Sequence, residues 1–254
     1  MYNDLFSIGG LTIHGYGLMI GIGILAAYLT AEKRVKKSGL DSDHIFPLLI
    51  WGCGFGLVSA KLLYFFTIFE DIKKNPSLLL NVSEGFVVYG GILGGIAAGY
   101  VYCRIKKIGF FTYLDQIIPS ISLAQGFGRL GCLLAGCCYG APYKGPVSMV
   151  FHTSQFAPNG ISLFPTQIIS SVFDFLLFMV LSVIAGKNHR QGRVTAFYLI
   201  FYSVGRFLIE FYRGDLIRGT VGTLSTSQFI SLFVTAAGFF LLWKSGHKTT
   251  ENNE

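Results

Sequence analysis

Seven long apolar stretches dominate this sequence and limit the folds that it can adopt. They cover approximately residues 12–31, 45–69, 86–105, 110–135, 166–186, 195–212 and 226–244. Each approaches the roughly 20 apolar residues that an α-helix needs to cross a bilayer. Only 13% of the residues are charged, against roughly 25% in soluble domains. The sequence therefore predicts an all-α integral membrane protein, with residues 1–254 forming one polytopic domain that is a bundle of seven transmembrane helices.

The distribution of basic residues predicts how the chain is threaded. Lys and Arg concentrate in four connections, at 33–37, 104–107, 187–193 and 244–248, and are sparser in the connections between them. Because cytoplasmic loops carry the excess of Lys and Arg, we expect the N-terminus outside and the C-terminus inside. The basic residues form no contiguous stripe, which excludes a nucleic-acid partner.

Glycines recur along the second and third stretches. Gly52, Gly54 and Gly56 read GxGxG, but no strand precedes them, so we exclude a dinucleotide site. In the third stretch, Gly91 and Gly95 belong to a series spaced by four residues. Such spacing leaves one helix face almost without side chains and predicts close helix packing.

Three basic residues, Lys61, Arg129 and Arg206, lie inside apolar stretches. An Arg at the centre of a membrane costs at least about 2.5 kcal/mol, so it persists when it is paired or faces a polar cavity. The sixth stretch also carries one polar face, because polar residues recur there every three to four positions. These residues are Tyr198, Tyr202, Arg206, Glu210 and Arg213.

With this threading, polar residues of five helices reach the depth of the outer leaflet. They are His14, Tyr16, Lys61, Tyr89, Gln125 and Arg129, together with the polar face of the sixth stretch. Glu210 pairing with Arg206 or Arg213 would explain part of this set as an internal salt-bridge network. The acids in the outer halves of these helices are Glu210 and, at the rim, Glu70, Glu84 and Asp215, which leaves cations in excess. We therefore expect a bound phosphate, which arginines bind with bidentate geometry, and at this depth it would belong to a lipid headgroup.

Simpler roles remain open for several of these side chains. His14 alone would more often be a structural hydrogen-bonding residue than a base. Tyr16, Tyr89 and Tyr202 could belong to the aromatic belt at the membrane interface. Cys132, Cys137 and Cys138 have the spacing CxxxxCC, with His152 nearby, and match no standard zinc pattern. We interpret them as packing residues or an extracytoplasmic disulfide, and expect no metal and no cofactor.

Five segments, in the same order along the chain, resemble the bacterial prolipoprotein diacylglyceryl transferase family. They are FSIGGLTIHGYGLMIGIG at 6–23, EGFVVYGGILGG at 84–95, GFGRLGCLLAGCCYG at 126–140, FPTQ at 164–167 and FYSVGRFLIEFYRGD at 201–215. The resemblance implies a seven-helix enzyme of the bacterial cytoplasmic membrane. Its members move the diacylglyceryl group of phosphatidylglycerol to the lipobox cysteine thiol of a preprolipoprotein and release glycerol phosphate.

The resemblance also implies roles for individual residues. Arg129 matches the essential arginine of the family's Gly-Arg-x-Gly signature, and Arg206 matches its second essential arginine. Tyr16 and Tyr202 match tyrosines of the lipid site, and Glu210 with Arg213 match the acid and base that follow. We expect Arg129 and Arg206 to hold the phosphate, with Tyr89 or His14 assisting proton movement.

Five positions differ from the family pattern. Tyr89 begins a Tyr-Gly-Gly segment where the family has His-Gly-Gly, the proposed place of its base. Cys132 and Cys137 replace an Asn and a Glu, and residues 164–167 read Phe-Pro-Thr-Gln instead of His-Pro-Ser-Gln. Tyrosine has a reference pKa near 10, far above that of histidine. A relative with a different acceptor, a lipid-binding protein and an anion transporter therefore remain alternatives.

Overall fold

The computed structural model describes residues 4–8, 11–80, 85–187, 190–215 and 219–247. In this part of the chain, eight α-helices account for most residues. They are α1 Gly15–Lys37, α2 Ile45–Thr67, α3 Phe69–Lys74, α4 Val88–Lys106, α5 Phe110–Ala135, α6 Thr166–Ala185, α7 Arg193–Glu210 and α8 Thr226–His247. All seven apolar stretches are helical, and α3 is an additional short helix. The first helix begins later than the stretch predicted from residue 12, because Leu11–His14 form a strand.

Short antiparallel strand pairs lie in the connections. They are β1 Asp4–Ile8 with β2 Leu11–His14, β3 Met149–Val150 with β4 Ser162–Leu163, and β5 Thr220–Val221 with β6 Leu224–Ser225. Two short 3-10 helices, Ser42–His44 and Pro76–Leu80, flank α2 and α3.

Five of the helical segments in the described residues are long and apolar enough to cross a membrane. They are Gly15–Lys37, Ser42–Thr67, Phe110–Ala135, Thr166–Ala185 and Thr226–Gly246. Helix α4 is less apolar because it is rich in Gly and Tyr. Helix α7 carries three charged residues, Arg193, Arg206 and Glu210, within its 18 residues. Length and composition therefore support five spans directly rather than the seven predicted.

Large apolar side chains are exposed along these helices. Leu29 of α1, Leu57 of α2, Val183 of α6 and Phe233 of α8 are each more than half exposed. An apolar outer surface of this extent is unfavourable in water and suits contact with lipid chains. The chain is therefore a multi-pass helical membrane protein.

The chain divides into two compact units. One, the α2–α4 unit, is Gly39–Tyr113, and the other, the five-helix unit, is Met1–Ser38 with Leu114–Glu254. In the α2–α4 unit the backbones of α2 and α4 approach closely. A Cβ on Gly56 would lie 3.2 Å from the carbonyl oxygen of Gly91, and one on Gly95 would lie 3.3 Å from that of Gly52. The helix packing predicted from the glycine spacing is confirmed.

Helices α5, α6 and α7 share the main apolar core of the five-helix unit. Its buried members include Ile118, Leu177, Leu181, Val194 and Tyr198. Helix α1 joins this core through polar contacts: the Thr30 hydroxyl lies 2.8 Å from that of Ser120, and Arg34 donates from Nε to the Gln116 carbonyl oxygen at 2.9 Å.

The N-terminus of α7 is capped by a carboxylate from another helix. Asp115 of α5 is 1% exposed. Its oxygens accept hydrogen bonds from the Gly192 N–H (2.6 Å), the Thr195 N–H (2.9 Å) and the Thr195 hydroxyl (2.6 Å). The first N–H groups of a helix have no partner within the helix and attract negative charge. Asp115 therefore fixes where α7 begins against α5.

We expect Asp115→Asn to lower the free energy of unfolding by about 2 kcal/mol, because in either orientation of the amide its NH₂ group would face a backbone N–H donor. The measurement is the midpoint of thermal unfolding in detergent micelles. Thr195→Val is the matched control, since it removes one hydrogen bond and keeps the carboxylate, and we expect a smaller decrease. Equal midpoints for Asp115→Asn and the unsubstituted protein would show that Asp115 is not a cap of this strength.

The connection between α5 and α6 is folded rather than loose. On one side, Ala141 N–H donates to the Tyr212 carbonyl (2.9 Å) and Gly214 N–H to the Tyr139 carbonyl (3.1 Å). On the other side, Phe164 N–H donates to the Ala141 carbonyl at 2.9 Å. Residues 139–141 thus lie between the segments 162–164 and 212–214. This arrangement holds Arg213 beside the residues that follow α5.

Candidate functional site

One small cavity in the five-helix unit contains both predicted arginines. It is lined by Arg129 of α5, by Ser170, Phe173 and Asp174 of α6, and by Tyr202, Arg206 and Ile209 of α7. Its empty volume is about 190 Å³. The structure therefore brings together Arg129, Tyr202 and Arg206, which lie far apart in the sequence.

Arg206 is neutralised by a carboxylate on its own helix. Its Nη2 lies 2.6 Å from Glu210 Oε2, four residues further along α7, and also donates to the Ser227 hydroxyl at 3.2 Å. Glu210 Oε1 accepts a hydrogen bond from Ser225 at 3.0 Å. The salt bridge predicted from helical spacing is confirmed.

Arg213 lies at the end of this polar face and is also paired. Its Nε and Nη2 donate to the two carboxylate oxygens of Asp215 at 2.8 and 2.5 Å, and Nε lies 3.7 Å from Glu210 Oε2. Burial by itself would lower the pKa of Arg213, but the interactions with Asp215 and Cys138 together more than offset it, so that the pKa is raised. Arg213 is thus a fixed cation that helps to hold the connection in place.

Asp174 is the residue that the sequence argument missed. It is a buried acid on α6, and its carboxylate is close enough to Arg129 and Arg206 to interact with both charges. Asp174 was not included in the predicted excess of cations, because only acids in the outer halves of the helices that carry the cations were counted. That count is wrong. An acid inside the most apolar candidate span, with a mean hydropathy of 2.4, is the signal that could have found it.

Arg129 differs from the other two arginines in its partners. Among the described residues its guanidinium makes no hydrogen bond and no ion pair, whereas Arg206 and Arg213 both form ion pairs. Tyr202, Cys132 and Asp174 are close enough to interact with its charge. The five donors of a guanidinium are costly to leave unsatisfied in a membrane helix. Arg129 is therefore the group most available to an incoming anion.

Gln125 and Tyr202 are tied together through a third side chain. The Tyr198 hydroxyl donates to Gln125 Oε1 at 3.0 Å, and the Tyr198 ring stacks on that of Tyr202 with centroids 5.4 Å apart. Tyr202 lines the cavity, whereas Gln125 does not. Gln125 therefore positions Tyr202 through Tyr198 instead of facing the cavity itself.

Tyr16 and His14 lie at the start of α1 and do not line the cavity. Tyr16 packs against α5, where a Cβ on Gly131 would lie 3.2 Å from its ring. Arg129 is one of the charged groups near it. His14 is exposed and occupies the N-cap position of α1 without a side-chain capping bond. Lipid binding by either residue stays a prediction.

Tyr89 and Lys61 belong to the α2–α4 unit. Tyr89 lies in the first turn of α4 and is 39% exposed. The Lys61 ammonium lies over three aromatic rings, 5.0 Å from the centroids of Tyr64 and Phe65 and 5.2 Å from that of Phe86. Cation–π contacts of this kind stabilise a lysine in an apolar segment. The predicted roles of both residues in lipid transfer stay predictions.

Comparison with known proteins identifies a family. The family model described as prolipoprotein diacylglyceryl transferase matches residues 3–244. A Clostridium tetani protein named phosphatidylglycerol--prolipoprotein diacylglyceryl transferase is 50% identical over 237 residues, which are 93% of this chain and 95% of the relative. A Clostridium perfringens protein with that name and the number 2 is 44% identical, over 93% of each chain. A Finegoldia magna protein of the same name is 30% identical, over 98% of each chain.

Proposed function

Because the chain belongs to the prolipoprotein diacylglyceryl transferase family, we propose that it transfers the diacylglyceryl group of phosphatidylglycerol to the cysteine thiol of a prolipoprotein. The names of its relatives state this donor and this acceptor. The observation that carries the proposal is the guanidinium of Arg129, which makes no hydrogen bond and no ion pair with any described residue and shares a cavity with Arg206 and the carboxylate of Asp174.

The donor lipid has one anionic group that these arginines suit. A phosphate accepts two parallel N–H bonds from a guanidinium, which fixes its orientation as well as its position. Arg129 on α5 supplies N–H donors that make no other hydrogen bond among the described residues. Arg206 lies on α7 and forms an ion pair with Glu210. We infer that the phosphate binds to Arg129 first and shares Arg206 with Glu210.

The reaction exchanges one bond for another at a single carbon. The sulfur of the acceptor cysteine forms a C–S bond with the glyceryl carbon, and the bond between that carbon and the phosphate oxygen breaks. The electron pair of the broken bond leaves with glycerol phosphate. Guanidinium groups that already hold the phosphate stabilise the charge that develops on it. The roles of Arg129 and Arg206 are to orient the headgroup and to favour its departure.

The thiol must lose its proton during transfer. Free cysteine, with a pKa near 8.5, is a few per cent thiolate at neutral pH, and a cationic site increases that fraction. A strong base is therefore dispensable. Tyr89 and His14 are the candidates for assisting proton movement, and both assignments rest on sequence position alone.

The proposed topology has seven spans, with the N-terminus outside the bacterial cytoplasmic membrane. Helices α4 and α7 are the two spans beyond the five that composition supports. Two polar side chains of α7 are covered by α8, because Ser203 bonds to Thr235 at 2.7 Å and Arg206 to Ser227. A helix whose charges are satisfied by its neighbours can cross a membrane at lower mean hydropathy.

The decisive experiment measures transfer directly. Purified protein in detergent is incubated with acyl-labelled phosphatidylglycerol and a lipobox peptide, and the products are separated by mass. A thioether-linked diacylglyceryl peptide is expected, whereas a peptide with Ser in place of the lipobox Cys should remain unlabelled. Lipid binding without product would instead indicate a lipid-binding protein, and phospholipid or anion flux across liposomes without product would indicate a transporter. Either result contradicts the proposed transfer.

A further inference from the structure

Three cysteines meet where α5 ends. The Sγ atoms of Cys132, Cys137 and Cys138 all lie within 4.8 Å of one another, and the three residues are only partly buried. None of the five cysteines, all of which lie in the described residues, forms a disulfide, so the disulfide considered from the sequence is not formed. The cluster is separate from the cavity of Arg129 and Arg206, since no cysteine lines that cavity.

The end of α5 brings the first two thiols together. Gly136 has a left-handed conformation, with φ at +77°. Its N–H donates to the Leu133 carbonyl at 3.3 Å, and the N–H of Cys137 donates to the Cys132 carbonyl at 3.1 Å. This pair of bonds is a Schellman motif, in which the residue after the left-handed position folds back over the last turn of the helix. Cys137 is therefore held beside Cys132 by the backbone.

The third thiol is held by an unusual backbone conformation. Cys138 has a positive φ of +60°, which is uncommon for a residue with a side chain. Two buried side chains of α6 fix the peptide groups on either side: Gln167 Nε2 donates to the Cys137 carbonyl at 3.0 Å, and the Thr166 hydroxyl donates to the Cys138 carbonyl at 2.9 Å. Strained conformations persist where the surroundings determine them and occur often at functional sites.

We propose that Cys132, Cys137 and Cys138 bind one thiophilic metal cation of the Zn²⁺, Cd²⁺ or Cu⁺ class. Thiolates are the preferred ligands of these ions. In tetrahedral coordination with Zn–S bonds of about 2.3 Å, the sulfurs lie about 3.8 Å apart, so the three side chains need to close by about 1 Å at most. The fourth position of a tetrahedral ion would hold water.

The surroundings supply the charge that such a complex requires. A divalent ion displaces three thiol protons when it binds three thiolates, and the complex then carries one net negative charge. The guanidinium of Arg213 is close enough to the Cys138 thiol to interact with it electrostatically. Arg129 lies one turn before Cys132 on α5. These two cations make a negatively charged complex favourable at a position where apolar surroundings would disfavour it.

The test uses Cd²⁺ as the probe on the full chain. Protein purified and reduced under anaerobic conditions is titrated with Cd²⁺, and thiolate-to-cadmium absorption, bound metal by mass spectrometry and released protons are measured. One Cd²⁺ per chain and three protons per ion are expected. Cys132→Ser, Cys137→Ser and Cys138→Ser should each weaken binding at least about tenfold, since each removes one of three ligands. Cys53→Ser is the matched control, because Cys53 lies in the α2–α4 unit, and its binding should be unchanged.

Three results would overturn the site. The first is that the protein takes up none of Cd²⁺, Zn²⁺ and Cu⁺ stoichiometrically, and the second is that a variant without the three cysteines binds the metal as well as the unsubstituted protein. The third is that the thiols of all three cysteines are oxidised in freshly purified protein. Gel filtration and thermal unfolding verify that each variant is folded, and Cys132→Ala replaces Cys132→Ser if the serine destabilises the helix. Metal stoichiometry is measured without lipid transfer. A failure of the metal site is therefore distinguishable from a failure of the proposed transferase activity.

Discussion

Replacement of Arg129 by Ala should reduce the rate of diacylglyceryl transfer about 100- to 1000-fold, the effect of removing one preorganised donor from a site of charge development. Arg129 makes no hydrogen bond and no ion pair with any described residue, so its donors are available to the phosphate. Arg206→Ala should have an effect of the same order and leave Glu210 with Arg213 as its remaining ion-pair partner. Transfer to a lipobox peptide by the purified variants measures both effects.

The matched control is Arg193→Ala on the same helix as Arg206. Arg193 lies 13 residues before Arg206, which is about 20 Å along α7, and its side chain is exposed. We expect Arg193→Ala to retain transfer. Arg129→Lys keeps the charge but loses the planar donor pair, so intermediate activity is expected. Full transfer by Arg129→Ala, with insertion into the membrane unchanged, would disprove the proposed role of this cavity.

Gly140→Ala should destabilise the protein by about 3 kcal/mol, the upper range for inserting a methyl group into a packed region. A Cβ at this position would overlap the carbonyl oxygen of Phe164, a backbone atom that no side-chain rotation can move away. Accommodating the methyl group would break the hydrogen bond from Phe164 N–H to the Ala141 carbonyl. The thermal unfolding midpoint in detergent measures the effect.

Gly21→Ala provides the comparison for Gly140→Ala. Nothing lies within 4 Å of a Cβ on Gly21, which is in the middle of α1. Alanine is favoured over glycine by about 0.5–1 kcal/mol in a helix, so the midpoint should stay the same or rise. If Gly140→Ala unfolded at the same temperature as Gly21→Ala, the close packing of residues 139–141 between their two neighbours would be refuted.

The helices were the most predictable part of the structure. Each apolar stretch that the sequence indicated is helical, since runs of about 20 apolar residues have few alternatives in a membrane. The membrane class follows from the same runs. Composition alone does not identify α4 and α7 as membrane spans, because Gly, Tyr and charged residues lower the mean hydropathy of these helices. Contacts with neighbouring helices, which satisfy their polar side chains, cannot be read from composition.

Prediction of the site succeeded where residues share a helix face. The series that contains Tyr202, Arg206 and Glu210 has helical spacing, and the structure confirms its ion pair. Asp174 was not predicted as a site residue, because a single acid has no spacing pattern and its position depends on how α6 packs against α5 and α7. The three thiols also could not be brought together from sequence, since their proximity depends on the left-handed conformations of Gly136 and Cys138.

The alternation of charges at the end of α7 has a consequence for substrate exchange. Glu210 Oε2 lies 2.6 Å from Arg206 and 3.7 Å from Arg213, so one carboxylate stands between two guanidiniums. When a phosphate occupies Arg206, a small rotation of Glu210 toward Arg213 would keep that carboxylate neutralised. The headgroup could then bind and leave without the Glu210 carboxylate becoming an unpaired charge in the low-dielectric interior, where each uncompensated charge would cost several kcal/mol.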